Sequence, residues 1–138
     1  MHPLFVYGTL RHPPLIEGLV GRPVHARPAT LPGHRAALLR GRAYPGLVVD
    51  ASSSAVGSLV EVDDDGLQVL DDFEGSEYTR TDVVVRTADG ENAEAQAYLL
   101  TGPSRSLALP ETWQFERFEA GAAEAWVRSA TPGTHHPQ

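Results

Sequence analysis

Apolar residues recur at two spacings along this chain, and the spacing separates strands from helices. Pro3–Tyr7 is a short apolar run that predicts a buried strand, and it leads into Gly8-Thr9-Leu10-Arg11, where Gly8 predicts a turn. Leu15, Ile16 and Leu19 predict one or two helical turns ending near Gly21. Residues 24–31 predict a strand, confined to an edge or a bulge by Pro23 and Pro28. Pro32-Gly33 marks a turn, and residues 34–39 return as a partner strand. Arg40–Ala43 reads as a loop, Tyr44-Pro45-Gly46 as a second turn, Leu47–Val49 as a short strand and Ala51–Ser54 as a polar connection. Val56–Val62 is the next strand, with Val56, Ser58, Val60 and Val62 facing one way and Gly57, Leu59 and Glu61 the other.

Asp63-Asp64-Asp65-Gly66 opens a helix, because aspartates suit an N-cap and the positive end of the helix dipole. Leu67, Leu70 and Phe73 repeat at helical spacing, and Gly75 is the expected C-cap. Tyr78–Thr87 predicts a long strand, Ala88-Asp89-Gly90 a hairpin turn and Ala93–Leu100 the returning strand. Residues 101–110 read as a loop long enough to cover a site. Glu111–Arg128 predicts one long helix with Phe115, Phe118, Ala122 and Trp126 as its buried stripe. The chain from Thr131 onward predicts a disordered tail. The pattern as a whole predicts an α+β fold, a small mixed β-barrel with flanking helices, in a single domain over residues 1–130.

Composition changes this picture mainly by exclusion. The 138 residues suit one domain, and 41% hydrophobic content supports one core. No apolar run approaches about 18 residues, so no membrane span is expected, and the start of the chain lacks the pattern of a signal peptide. Cysteine is absent, which removes disulfides, a thiolate nucleophile and Cys-based metal sites; a cytoplasmic location is the default expectation. A net charge of −7 with no basic run argues against nucleic acid and anionic membranes as partners. All 11 cationic residues are arginine, so no lysine can form a Schiff base. Glu61, Asp63, Asp65, Gly66 and Asp72 imitate the ligand spacing of a calcium loop, but a strand before them and a helix through them would stop that loop from wrapping an ion. His135 and His136 on the tail bring no further ligands with them, and no cofactor is expected.

One stretch organises the chemistry: Asp71-Asp72-Phe73-Glu74-Gly75-Ser76-Glu77-Tyr78-Thr79-Arg80. A helix ends there and a strand begins, so Glu74 is held between two rigid elements with one side open. Most acidic residues are solvated surface, and position alone does not make Glu74 reactive. A second candidate lies at the first turn, where successive N–H groups of Gly8, Thr9 and Leu10 are able to converge on an anion or a polarised carbonyl.

Taken together, Phe5-Val6-Tyr7-Gly8-Thr9-Leu10-Arg11, Tyr44-Pro45-Gly46, Ala55-Val56-Gly57-Ser58-Leu59, Leu70-Asp71-Asp72-Phe73-Glu74-Gly75, Tyr78-Thr79-Arg80 with Val83-Val84-Val85, and Tyr98 resemble the gamma-glutamylcyclotransferase-like proteins in order and spacing. The resemblance covers about residues 4 to 100. It implies a mixed β-barrel that releases an amine or amino acid from a gamma-glutamyl amide while the glutamyl part closes to 5-oxoproline. It implies that Glu74 is the acid/base and that Tyr7, Gly8, Thr9 and Leu10 line the substrate site, with Tyr98 reaching the cavity from a later strand. The Thr-Leu form of the loop resembles the gamma-glutamylamine cyclotransferase branch. No cofactor is implied; the partner is a small gamma-glutamyl substrate. The competing reading is a barrel of the same fold that binds a small metabolite or a partner protein without turnover. Tyr7 fits a core position with a satisfied hydroxyl equally well, and Tyr78 and Arg80 fit a structural role.

The implied reaction sets a physical requirement. The attacking α-amine has a pKa of about 8, and an ordinary glutamate of about 4.3 would accept its proton uphill by roughly 5 kcal/mol. Raising the carboxyl to about 6.5 leaves roughly 2 kcal/mol. Glu74 is expected to be raised by the negative end of its helix, by Asp71, Asp72 and Glu77, and by partial burial, provided Arg80 is not its partner.

Overall fold

The computed structural model describes residues 1–130. The predicted tail, with His135 and His136, lies outside them. Five strands close a mixed barrel. β1 (His2–Val6) pairs antiparallel with β3 (Pro45–Val62) and β3 with β2 (Ala26–Leu39). β2 then touches β4 (Tyr78–Thr87) at Ala29 and Thr30, and β4 forms a hairpin with β5 (Asn92–Leu100). The ring closes through a parallel contact of β5 with β1, Gln96 opposite Leu4. A sixth strand, β6 (Ala108–Thr112), lies outside the ring on β2.

The barrel strands carry apolar residues on both faces, and this makes two cores. Phe5, Leu31, Leu47, Leu59 and Val85 fill the interior, with alanines at 29, 36, 55, 95 and 97 keeping it narrow. Leu4, Val6, Val60 and Val62 face outward and meet Leu15 and Ile16 of α1 (Pro13–Val20) and Leu67, Leu70 and Phe73 of α2 (Asp64–Glu74). The alternation expected along 56–62 is therefore present, although Val56 itself is exposed. A third cluster joins Trp113 and Phe118 to Ala123.

Several expected elements are corrected. The two strands predicted at 24–31 and 34–39 are one strand, β2. Pro32-Gly33 is not a hairpin turn but lies within β2 where its register with β3 shifts: Pro32 pairs with Ser54 and His34 with Val49, so residues 50–53 of β3 are the extra ones, and Gly33 opposite them takes φ 75°. β2 is also no edge strand, since it has β3 along one side and β4 and β6 on the other. The turn at 44–46 and the connection at 51–54 both fall inside the 18-residue β3. Residues 101–110 are not an open loop: 3₁₀ turns span Gly102–Leu107, and β6 begins at Ala108. The long helix predicted over 111–128 starts later and is interrupted. Glu111 and Thr112 end β6, and α3 (Phe115–Gly121) and α4 (Ala123–Ala130) meet at Ala122. Glu61 lies in β3 and Asp65 and Asp72 in α2, so the calcium-like spacing forms no loop.

Candidate active site

α2 places the reactive residue. The Asp63 side chain accepts from the Gly66 N–H and fixes the start of the helix. Leu67, Leu70 and Phe73 bury one face against α1 and the barrel. Gly75 adopts φ 74° and stops the helix directly after Glu74. Glu74 is thus the last helical residue, seated over the barrel where β1 ends.

There it meets the first turn. A 3₁₀ turn, Thr9–Arg11, follows β1; its bonds run from the Arg11 N–H to the Gly8 carbonyl and from the His12 N–H to the Thr9 carbonyl. The leading N–H groups of such a turn have no partner inside it. Gly8 is required here for space rather than for a left-handed backbone. Its φ is −121°, but a Cβ at this position would stand 2.7 Å from Pro45 Cγ.

All six candidate residues from the sequence come together. Tyr7, Gly8, Thr9, Leu10, Glu74 and Tyr98 line one narrow cavity. Its free volume is about 20 Å³, room for a single water. A wider recess of about 150 Å³ lies on the other side of Glu74, bounded also by Asp71, Gly75, Tyr78, Arg80 and Tyr98. Glu74, Tyr78 and Tyr98 belong to both spaces, so Glu74 stands between them.

The tyrosine hydroxyls around Glu74 are all committed elsewhere. Tyr7 donates to the Tyr98 carbonyl at 2.6 Å, Tyr78 to the Pro45 carbonyl at 2.5 Å, Tyr98 to Asp71 at 2.7 Å and Tyr44 to Glu77 at 2.5 Å. Tyr7 is therefore both a satisfied core residue and a cavity wall. Burial raises the pKa of each, Tyr44 to about 12. Arg80 makes a two-point contact with Asp71, at 2.9 and 3.1 Å, and does not reach Glu74. The Glu74 carboxyl has no hydrogen-bond partner among the described residues. Its pKa is pushed up to about 8, first by burial and then by the charge of Asp71.

This corrects the expected causes. Asp72 is exposed and accepts from Gln68. Burial works to raise Glu77, but Tyr44 and Arg42 outweigh it and hold its carboxyl low. Tyr44, Pro45 and Tyr78 line the cavity although sequence reasoning placed none of them in the site. Tyr44-Pro45-Gly46 was legible as a motif, but only the fold brings it against the turn after β1.

Comparison with known proteins gives the family and the fold. The family model for gamma-glutamyl cyclotransferase, AIG2-like, matches residues 4–116. AIG2-like protein D of Arabidopsis thaliana is 32% identical over 130 residues, covering 93% of this chain and 86% of its own. A solution structure of an Arabidopsis thaliana protein superposes with a TM-score of 0.73 at 29% identity, covering 92% and 86% of the two chains. A gamma-glutamyl cyclotransferase shares the fold, with a TM-score of 0.66 at 17% identity over 72% and 66% of the chains.

Proposed function

Because the chain belongs to the gamma-glutamyl cyclotransferase, AIG2-like family, we propose that it cleaves a gamma-glutamyl amide, of the gamma-glutamylamine class, to 5-oxoproline and a free amine. The observation that carries this reading is the Glu74 carboxyl: half-buried, without a hydrogen-bond partner among the described residues, raised to about 8, and bordering the cavity that the Gly8–Leu10 turn lines.

The α-amine of the glutamyl group attacks its own γ-carbonyl carbon. A ring C–N bond forms and the C–N bond to the leaving amine breaks. Glu74 takes the proton lost by the attacking nitrogen and delivers it to the departing one, so it is regenerated each turnover. With an amine of about 8 and a carboxyl raised to about 8, the first transfer is nearly isoenergetic, against roughly 5 kcal/mol for an ordinary glutamate. The leading N–H groups of the turn are suited to the oxyanion that develops on the carbonyl, or to the substrate carboxylate. The attack is intramolecular, so proximity is built into the substrate. The narrow cavity alone is too small for a glutamyl group; displacement of Glu74 would join it to the recess.

The test is to incubate the protein and its Glu74→Gln variant with gamma-glutamyl amines and gamma-glutamyl amino acids and to measure 5-oxoproline. Turnover by the wild type, reduced about 10²–10⁴-fold in the variant, is the expected result. Equal rates in both would remove Glu74 from the mechanism. Binding of the panel without product would favour a non-catalytic barrel.

A further inference from the structure

A second cleft is larger than the Glu74 cavity. It measures about 340 Å³ and lies between β2–β3 and the segment 112–116. This falls in the size range of small-molecule sites, about 300–1,000 Å³. Tyr7, Trp113 and Phe115 give it an aromatic wall; Ser53, Ser54 and Gln114 supply polar groups.

Two arginines line it, and they differ. Arg35 is fully engaged, by Asp50 at 3.2 Å and by the carbonyls of Glu111 at 2.9 Å and Leu109 at 3.3 Å. Arg11 is not. Its guanidinium carbon sits 4.1 Å from the centre of the Phe115 ring, which covers one face of the group and leaves its in-plane donors available. Its Nε is buried and has no hydrogen-bond partner. Among the described residues no carboxylate reaches Arg11 within ion-pair distance: Glu119 is bound to His12 at 2.9 Å, and Glu116 acts only at longer range. Burial works against the Arg11 charge, and the two glutamates offset it in part. Buried donors of this kind are nearly always satisfied, and a charged one strongly so.

We propose that this cleft binds a small carboxylate ligand with an aromatic body, the ring against Trp113 and Phe115 and the carboxylate on Arg11. Tyr7 is the wall shared with the Glu74 cavity. The ligand is a free acid or, resting on the function proposed above, the far end of a gamma-glutamyl substrate.

Calorimetric titration with 3-phenylpropanoate and with its neutral analogue 3-phenylpropanamide tests the site without reference to turnover. The acid should bind at least about tenfold more tightly than the amide. Arg11→Gln should erase that preference. Glu116→Gln, which removes a like charge from the rim, should increase it, and a misfolded variant would not gain affinity. Equal binding of acid and amide, or no gain in Glu116→Gln, overturns the proposal. A rise in KM for a gamma-glutamyl amide when the acid is added marks the cleft as the far end of the substrate site; binding with KM unchanged marks a separate site.

Discussion

Asp71 and Glu74 stand three positions apart on α2, both beside the recess, yet their environments drive them to different roles. Asp71 spends both oxygens on Arg80 and Tyr98. Glu74 has no such partner and holds its proton to about pH 8. The proposed reaction needs one proton shared between Glu74 and the substrate amine, which also titrates near 8. Below that range both are protonated and above it both are bare. The profile of kcat/KM should therefore be a bell centred near pH 8. Asp71→Asn removes a charge that raises Glu74 and frees Arg80 beside it, so the acid limb should move to lower pH. The displacement should be the smaller part of the whole shift, because burial is its first cause. An acid limb unmoved by Asp71→Asn would deny Asp71 this electrostatic role.

At the scale of elements, two glycines separate stability from function. Gly33 sits at φ 75° in β2, at the register shift with β3, with open space where a Cβ would stand. Gly33→Ala should cost about 1 kcal/mol in denaturant unfolding and leave turnover unchanged. Gly8→Ala drives a methyl into Pro45 and displaces the turn that lines the Glu74 cavity. It should lower kcat/KM more than tenfold at a stability cost of about 1–3 kcal/mol, the range for overpacking a buried position; equal activity loss in both variants would show that Gly8 only supports folding. These positions also explain what the chain made legible. Asp63, Gly75 and the Asp89-Gly90 hairpin signal local events, and α2, β4 and β5 were readable from them. Pro32-Gly33 misled because the left-handed glycine of a turn also serves a strand that crosses a register shift. β3 was broken into pieces because Pro45-Gly46 and the polar, mostly exposed run Ala51–Ser54 carry turn-like residues inside a strand that pairing with β2 holds together. Within the site, Glu74 and the 7–10 turn were legible as a motif. Tyr44 and Pro45 were legible as a motif but not as part of the site, because only the pairing of β3 within the barrel carries them to the cavity.

The molecule as a whole must hold an uncharged carboxyl in its wall, and its stability should record that. Asp50, Asp64 and Asp89 have pKa values lowered by their hydrogen bonds, so they favour the folded state above the ordinary carboxylate range and lose that contribution as pH falls. Glu74 acts in the opposite direction. Its folded pKa of about 8 lies above the unfolded value of 4.5, so its contribution is complete below about 4.5 and is lost as pH rises through 8. Glu74→Gln keeps the shape and removes the titration, while every other group remains common to both proteins. The difference in melting temperature between variant and wild type should therefore be small near pH 4.5, grow in favour of the variant through neutrality and level off above about pH 9. A few kcal/mol of difference is expected at the plateau, discounted for the open side of the site. A gap that stays constant with pH would mean that Glu74 is already ionised in the folded protein. That result would also withdraw the near-isoenergetic proton transfer on which the proposed reaction depends.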